Sequence, residues 1–111
     1  MSYKEKLEIG NQNTKNVFSK CPEVGESFSK LHGSTIRDGV VSAKNRELIA
    51  LGIAIAIRCE GCIVAHVAAA KKAGVTLEEI YETIEVAILM GGGPSVAYGG
   101  IAAACAEEFY N

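Results

Sequence analysis

Hydrophobic positions along this chain recur mostly at steps of three and four, the period of one helical face. The clearest case is Leu77, Ile80, Ile84, Ala87 and Ile88. They follow Thr76-Leu77-Glu78-Glu79, a capping box in which the Thr and the second Glu satisfy each other's backbone N–H groups. A helix from there to about Met90 is predicted. Pro22 suits the first turn of a helix running to about His32, and Pro94 the first turn of one running to about Tyr110. Gly33 and Asp38-Gly39 mark loop between them. Ser42 offers an N-cap to AKNRELIALGIAIAIR. Within that helix every residue from Leu48 to Ile57 is apolar or glycine, so cover on nearly all sides is expected. A buried strand is the alternative for that run, but Arg46-Glu47 and the alanines favour helix. The next helix starts at the CEGC turn and closes at Gly74, after Lys71 and Lys72 in its last turn. At the N-terminus residues 3–9 and 12–20 read as two short helices parted near Gly10-Asn11. No strand pattern, dinucleotide fingerprint, P-loop or solenoid repeat is present. The fold class is all-α, of about six helices, in one domain with N-terminal helices over 1–34 and a core over 35–105.

Composition fits a folded chain of 111 residues, 49% apolar and 22% charged. Net charge is −2 and the basic residues are scattered, which excludes the footprint of a nucleic-acid or anionic-membrane binder. Val86 to Ala106 runs 21 residues without a charge, long enough to span a bilayer, but Gly91-Gly92-Gly93-Pro94 interrupts it. Two buried helices meeting at a break explain it better. The opening MSYKEKLEIGNQNTKN lacks the apolar stretch of a secretory signal, so a cytoplasmic location is expected. In that compartment a CxxC reads as redox-active or metal-binding rather than as part of a disulfide framework.

Candidate chemistry concentrates in RCEGCIVAHVAAAKK, Arg58 to Lys72, which holds Cys59, Cys62 and His66. Two cysteines three positions apart at a helix start lie within disulfide reach. The helix N-terminus and Arg58 both favour thiolate. His66, one turn after Cys62 on the same face, can take the thiol proton. Two other readings compete. Zinc would find three ligands here, but a structural site needs a fourth, and His32, Cys21 and Cys105 are far along the chain. Alternatively the cysteines are small buried fillers in an alanine-rich helix and His66 a core residue. Glu47 bears on the choice. In an antiparallel hairpin it would lie ~18 Å from the turn and His66 ~10 Å, a gap that two side chains and one water could close. A carboxylate orienting a histidine that serves a cysteine is triad logic. Taken alone, Glu47 reads as a solvated carboxylate favoured by the helix dipole.

The pattern RELIALGIAIAIRCEGCIVAH, followed by AAAKKAGVTLEEIYE, resembles the carboxymuconolactone decarboxylase family, and most closely its thiol branch, the alkylhydroperoxidase D-like proteins. The likeness covers about residues 35–105. It implies an all-helical homo-oligomer, trimer or hexamer, with dithiol peroxidase or disulfide-reductase activity and no bound cofactor or metal. The implied partners are a peroxide and a thiol reductant, with no nucleic acid and no membrane. The family's relay glutamate falls on Glu47, its cysteine pair on Cys59 and Cys62, and its downstream histidine on His66. One departure is Gly61, where the best-known peroxidases of this type carry a further histidine. The decarboxylase branch does not depend on a redox CxxC, which argues against lactone decarboxylation here. A non-catalytic helical scaffold of the same fold is the alternative from another class.

Four lesser expectations complete the reading. Cys59 and Cys62 form a reversible disulfide, while Cys21 and Cys105 stay reduced as buried or incidental thiols. His32 sits in a solvated loop. Tyr81, Tyr98 and Tyr110 serve packing. Gly99, Gly100, Ala103 and Ala104 form a close-packing face for subunit contacts.

Overall fold

The computed structural model describes all of residues 1–111 as six α-helices without strands. They are α1 (Tyr3–Lys20), α2 (Pro22–Thr35), α3 (Ala43–Ala56), α4 (Glu60–Lys72), α5 (Leu77–Gly91) and α6 (Gly93–Tyr110). The all-helical class agrees with the sequence reading. Local chemistry sets most boundaries. Ser42 Oγ accepts the Asn45 N–H, Thr76 and Glu79 form the reciprocal capping box, and Pro22 occupies the first turn of α2. No helix is long and apolar enough to cross a membrane.

Helices α3 to α6 enclose the core, built from Leu51, Ile55, Ile63, Val67, Ile80, Ala102 and their neighbours. Close approach of α5 and α6 depends on Gly99. A methyl group there would stand 2.8 Å from Ile84 Cγ2, so this glycine serves packing inside the chain rather than the subunit face expected of it. Gly100 by contrast is open to solvent.

The corner between α3 and α4 is a Schellman motif, which returns the chain while satisfying the last carbonyls of a helix. Arg58 N–H donates to Ile55 O and Cys59 N–H to Ala54 O, at 3.1 and 3.0 Å. The left-handed residue is Arg58 (φ 61°) rather than the usual glycine, at a cost of ~1–2 kcal/mol. The corresponding corner after α4 uses Gly74 (φ 87°). Cys59 therefore ends one helix and caps the next, so the backbone of the corner fixes its position.

Three further expectations are corrected. Residues 3–20 form one helix, not two. Gly10 inside it costs ~1 kcal/mol against alanine, but the helix is pinned elsewhere. The Glu108 carboxylate accepts the Tyr3 and Lys4 N–H groups at 3.0 and 2.9 Å, and these contacts hold it below the usual carboxylate range. Lys6 pairs with Glu60 at 2.7 Å. Next, α2 extends to Thr35, which places His32 on a helix rather than in a loop. Finally, α3 is not covered on all sides. Ile49, Ile53 and Ile57 remain 55%, 55% and 65% exposed, because no helix of the chain packs on that stripe. Meanwhile α2 packs only against α1, with one further tie where Arg46 of α3 donates to Thr35 O at 2.9 Å, and nothing in it is buried but Gly25, against Phe18.

Candidate functional site

The antiparallel pair α3–α4 carries all four residues singled out for chemistry. Glu47 lies one turn into α3, and His66 lies midway along α4. His66 Nδ1 and Glu47 Oε1 are 2.6 Å apart. The contact is direct, where one bridging water was expected. Counted from the helix ends at Ala56 and Glu60 instead of from the turn, the axial offset of the two residues is only ~4.5 Å. The Schellman corner takes up the difference, and two side chains suffice.

Burial makes this contact consequential. Glu47 is 4% exposed, and a carboxylate removed from water requires a partner. An ionised carboxylate only accepts, so His66 donates through Nδ1–H. Whenever the imidazole is neutral, that arrangement sets its tautomer and leaves Nε2 without a proton. The His66 side chain is 23% exposed, so the pair is buried at one end and wet at the other.

Cys59 and Cys62 are joined as a disulfide, with Cα atoms 5.2 Å apart. As the N-cap of α4, Cys59 accepts the Cys62 N–H through Sγ at 3.2 Å. The same donor and the helix end would stabilise a thiolate at Cys59 after reduction. No cluster of three His, Cys, Asp or Glu side chains is arranged to hold a metal ion. The other cysteines lie elsewhere. Cys105 is fully buried in the core, and burial, reinforced by the charges of Glu108 and Glu60, pushes its thiol up to about 12. Cys21 is free and exposed at the junction of α1 and α2, so of the two thiols expected to be buried or incidental only Cys105 is buried. Tyr81 reaches the surface and donates to Glu107, which raises its hydroxyl pKa, so it is more than a packing residue. Tyr110 donates to Val75 O, tying the end of α6 to the α4–α5 corner.

Cys59, Cys62 and His66 open onto one cleft of about 650 Å³. Its opposite wall comes from the N-terminal hairpin: Lys6, Leu7, Asn11 and Thr14 from α1, Phe28 and His32 from α2. The sequence reading assigned none of these to the site. A signal for two of them did exist. His32 follows Phe28 by four residues, on the same side of α2, so extending that helix by one turn puts both on one face. Lys6 and its partner Glu60 had no such signal.

Comparison with known proteins places this chain among relatives. The model of the carboxymuconolactone decarboxylase family matches residues 22–105. A carboxymuconolactone decarboxylase family protein from Legionella pneumophila, solved as its apo crystal structure, superposes with a TM-score of 0.93 at 34% identity. The superposition covers 98% of this chain and 97% of that one. A protein from Thermotoga maritima superposes at 0.88 and 26% identity, over 96% and 94% of the two chains. In sequence, a protein of the Paracoccus denitrificans cox locus is 33% identical over 85 residues, 77% of each chain.

Proposed function

We propose that this chain, which belongs to the carboxymuconolactone decarboxylase family, is one of its alkylhydroperoxidase D-like members: a dithiol oxidoreductase that reduces peroxides, or disulfides by the same thiol exchange. The observation that carries the reading is a CxxC pair sharing one cleft with a histidine whose other nitrogen is held by a buried carboxylate. A scaffold has no need for that carboxylate, since burying an ionised group costs several kcal/mol unless it is paired.

The chemistry runs on the reduced pair. His66 Nε2 takes the Cys62 thiol proton, and Glu47 stabilises the imidazolium that results. The Cys62 thiolate attacks the terminal peroxide oxygen. The O–O bond breaks, the alcohol leaves with one proton, and Cys62 becomes a sulfenic acid. Cys59, its thiolate favoured by the helix end, then attacks the Cys62 sulfur, and the displaced hydroxide takes the proton held by His66 and leaves as water, giving the disulfide. A thiol reductant returns the two electrons and two protons. Leu7, Phe28 and Val64 line the cleft and suit an organic hydroperoxide with an apolar body.

Thiol counting tests the proposal. Native reduced protein should titrate three thiols, Cys59, Cys62 and exposed Cys21, with buried Cys105 reacting only after unfolding. One equivalent of tert-butyl hydroperoxide should remove two of the three, and dithiothreitol should restore them. Thiols that persist through the peroxide step would refute the reading and favour a scaffold.

The expected homo-oligomer is also proposed. The chain exposes 6911 Å², whereas a compact monomer of its 11.7 kDa exposes roughly 5,900 Å² by the usual scaling of surface with mass. The excess compares with the ~800 Å² each partner loses in a specific interface. Ile53 and Ile57 of α3, with Leu89 and Met90 of α5, supply exposed apolar surface suited to a second copy. Light scattering at micromolar concentration should give a mass above the monomer, lowered by Ile53→Lys with Leu89→Lys. A monomeric mass for the unaltered protein would contradict it.

A further inference from the structure

His32 is the only histidine besides His66, and it stands on the wall of the cleft that α2 provides. Peroxide reduction is an in-line displacement at oxygen. The sulfur approaches one side of the attacked oxygen, and the departing oxygen lies on the far side. With Cys62 on α4, the alkoxide is released toward the wall built by α1 and α2. An alkoxide is a strong base, and its departure is accelerated by a group that hands it a proton as the bond breaks.

Few groups on that wall can do so. Lys6 is committed to Glu60, whose contact raises the amine further above neutrality and makes it a poorer acid. Asn11 and Thr14 are not acids at any working pH. On the α4 side, Glu60 faces Lys6, Cys59 is needed for resolution, and His66 is receiving the thiol proton. Gly61 contributes no side chain. An imidazole is the side chain whose ordinary titration best matches proton donation near neutrality.

We infer that His32 is a second catalytic residue, the general acid that protonates the alkoxide leaving group of an organic hydroperoxide held in this cleft. The inference rests on the peroxidase reading above. In balance, the Cys62 thiolate and ROOH become Cys62–SOH and ROH, with the added proton coming from His32 and the thiol proton retained by His66. His32 is afterwards recharged from solvent, to which it is exposed.

The test compares two oxidants in single turnover, with sulfenic acid formation followed by stopped flow. tert-Butyl hydroperoxide releases an alkoxide that needs a proton. Peracetic acid releases a carboxylate that does not. His32→Gln should slow the first on the order of 10²-fold and leave the second within about twofold. The peracetic acid arm also reports that the variant is folded and its thiol intact. Equal loss with both oxidants would make His32 a structural part of the wall and overturn the assignment, as would no loss with either. If unaltered protein reacts with neither oxidant, the peroxidase reading falls, and this inference with it. Loss confined to the variant falls on His32 alone.

Discussion

Replacing Cys62 with serine should reduce peroxide turnover to background and leave almost no sulfenic acid on the protein. Cys59→Ser should behave differently. It should accumulate one equivalent of sulfenic acid at Cys62 and then stall, because nothing is left to resolve it. Two features of α4 compete over this division of labour. The helix end and the Cys62 N–H both favour thiolate at Cys59, as in thioredoxin-like pairs where the first cysteine attacks. Against that, His66 lies one turn after Cys62, with its Nε2 free because Glu47 holds Nδ1. Proton removal during attack is worth ~10²–10⁴-fold, and only the cysteine served by the histidine collects it. The stabilised Cys59 thiolate is then well suited to resolution. Mass mapping of each variant after one peroxide equivalent decides the matter. Rapid oxidation of Cys59 in the Cys62→Ser protein would reverse the roles.

His66→Ala should be costly in two currencies at once. Sulfenic acid formation should slow by ~10²-fold or more, and the midpoint of urea unfolding should fall. The second effect follows from what remains: Glu47, 4% exposed and stripped of its partner. Breaking a buried pair in this way costs roughly 3–5 kcal/mol, and the lower end applies because His66 is partly wet. Glu47→Gln should slow the reaction similarly while costing less stability, since a neutral amide is easier to bury. The double variant carries the decisive comparison. His66→Ala with Glu47→Gln should be more stable than His66→Ala alone, yet no more active. Stability losses that merely add would mean that the two residues do not act as a pair.

Features set by nearby chemistry were legible in the sequence. Ser42, Thr76 with Glu79, Gly74 and the two prolines mark helix ends because a cap is made within four residues of itself. The spacing of Glu47, Cys59, Cys62 and His66 also selected the four residues that share the α3–α4 hairpin. Features decided across the fold were not legible. Gly10 looks like a break until Glu108, some hundred positions away, is seen holding the start of α1. Three residues at the end of α2 separate a solvated loop histidine from one on the cleft wall, and no local rule places that end reliably. The apolar run of α3 says that cover is needed but not who supplies it. Ile49, Ile53 and Ile57 are identical in sequence logic to Leu51 and Ile55, and only the latter are covered by this chain.

Because α2 packs against α1 alone, with a single hydrogen bond from α3 at its end, the two walls of the cleft answer to different constraints. The α3–α4 wall is locked into the core, and a substitution there alters stability and reactivity together. The α2 wall contributes almost nothing to the core, so its side chains are free to change with little penalty to folding. On the reading proposed above, the sulfur chemistry is thus tied to the scaffold, while the residues that α2 presents to the cleft can be changed at little cost to folding. A change of substrate should then need only a few substitutions around Phe28 on that helix, with His32 kept as the acid.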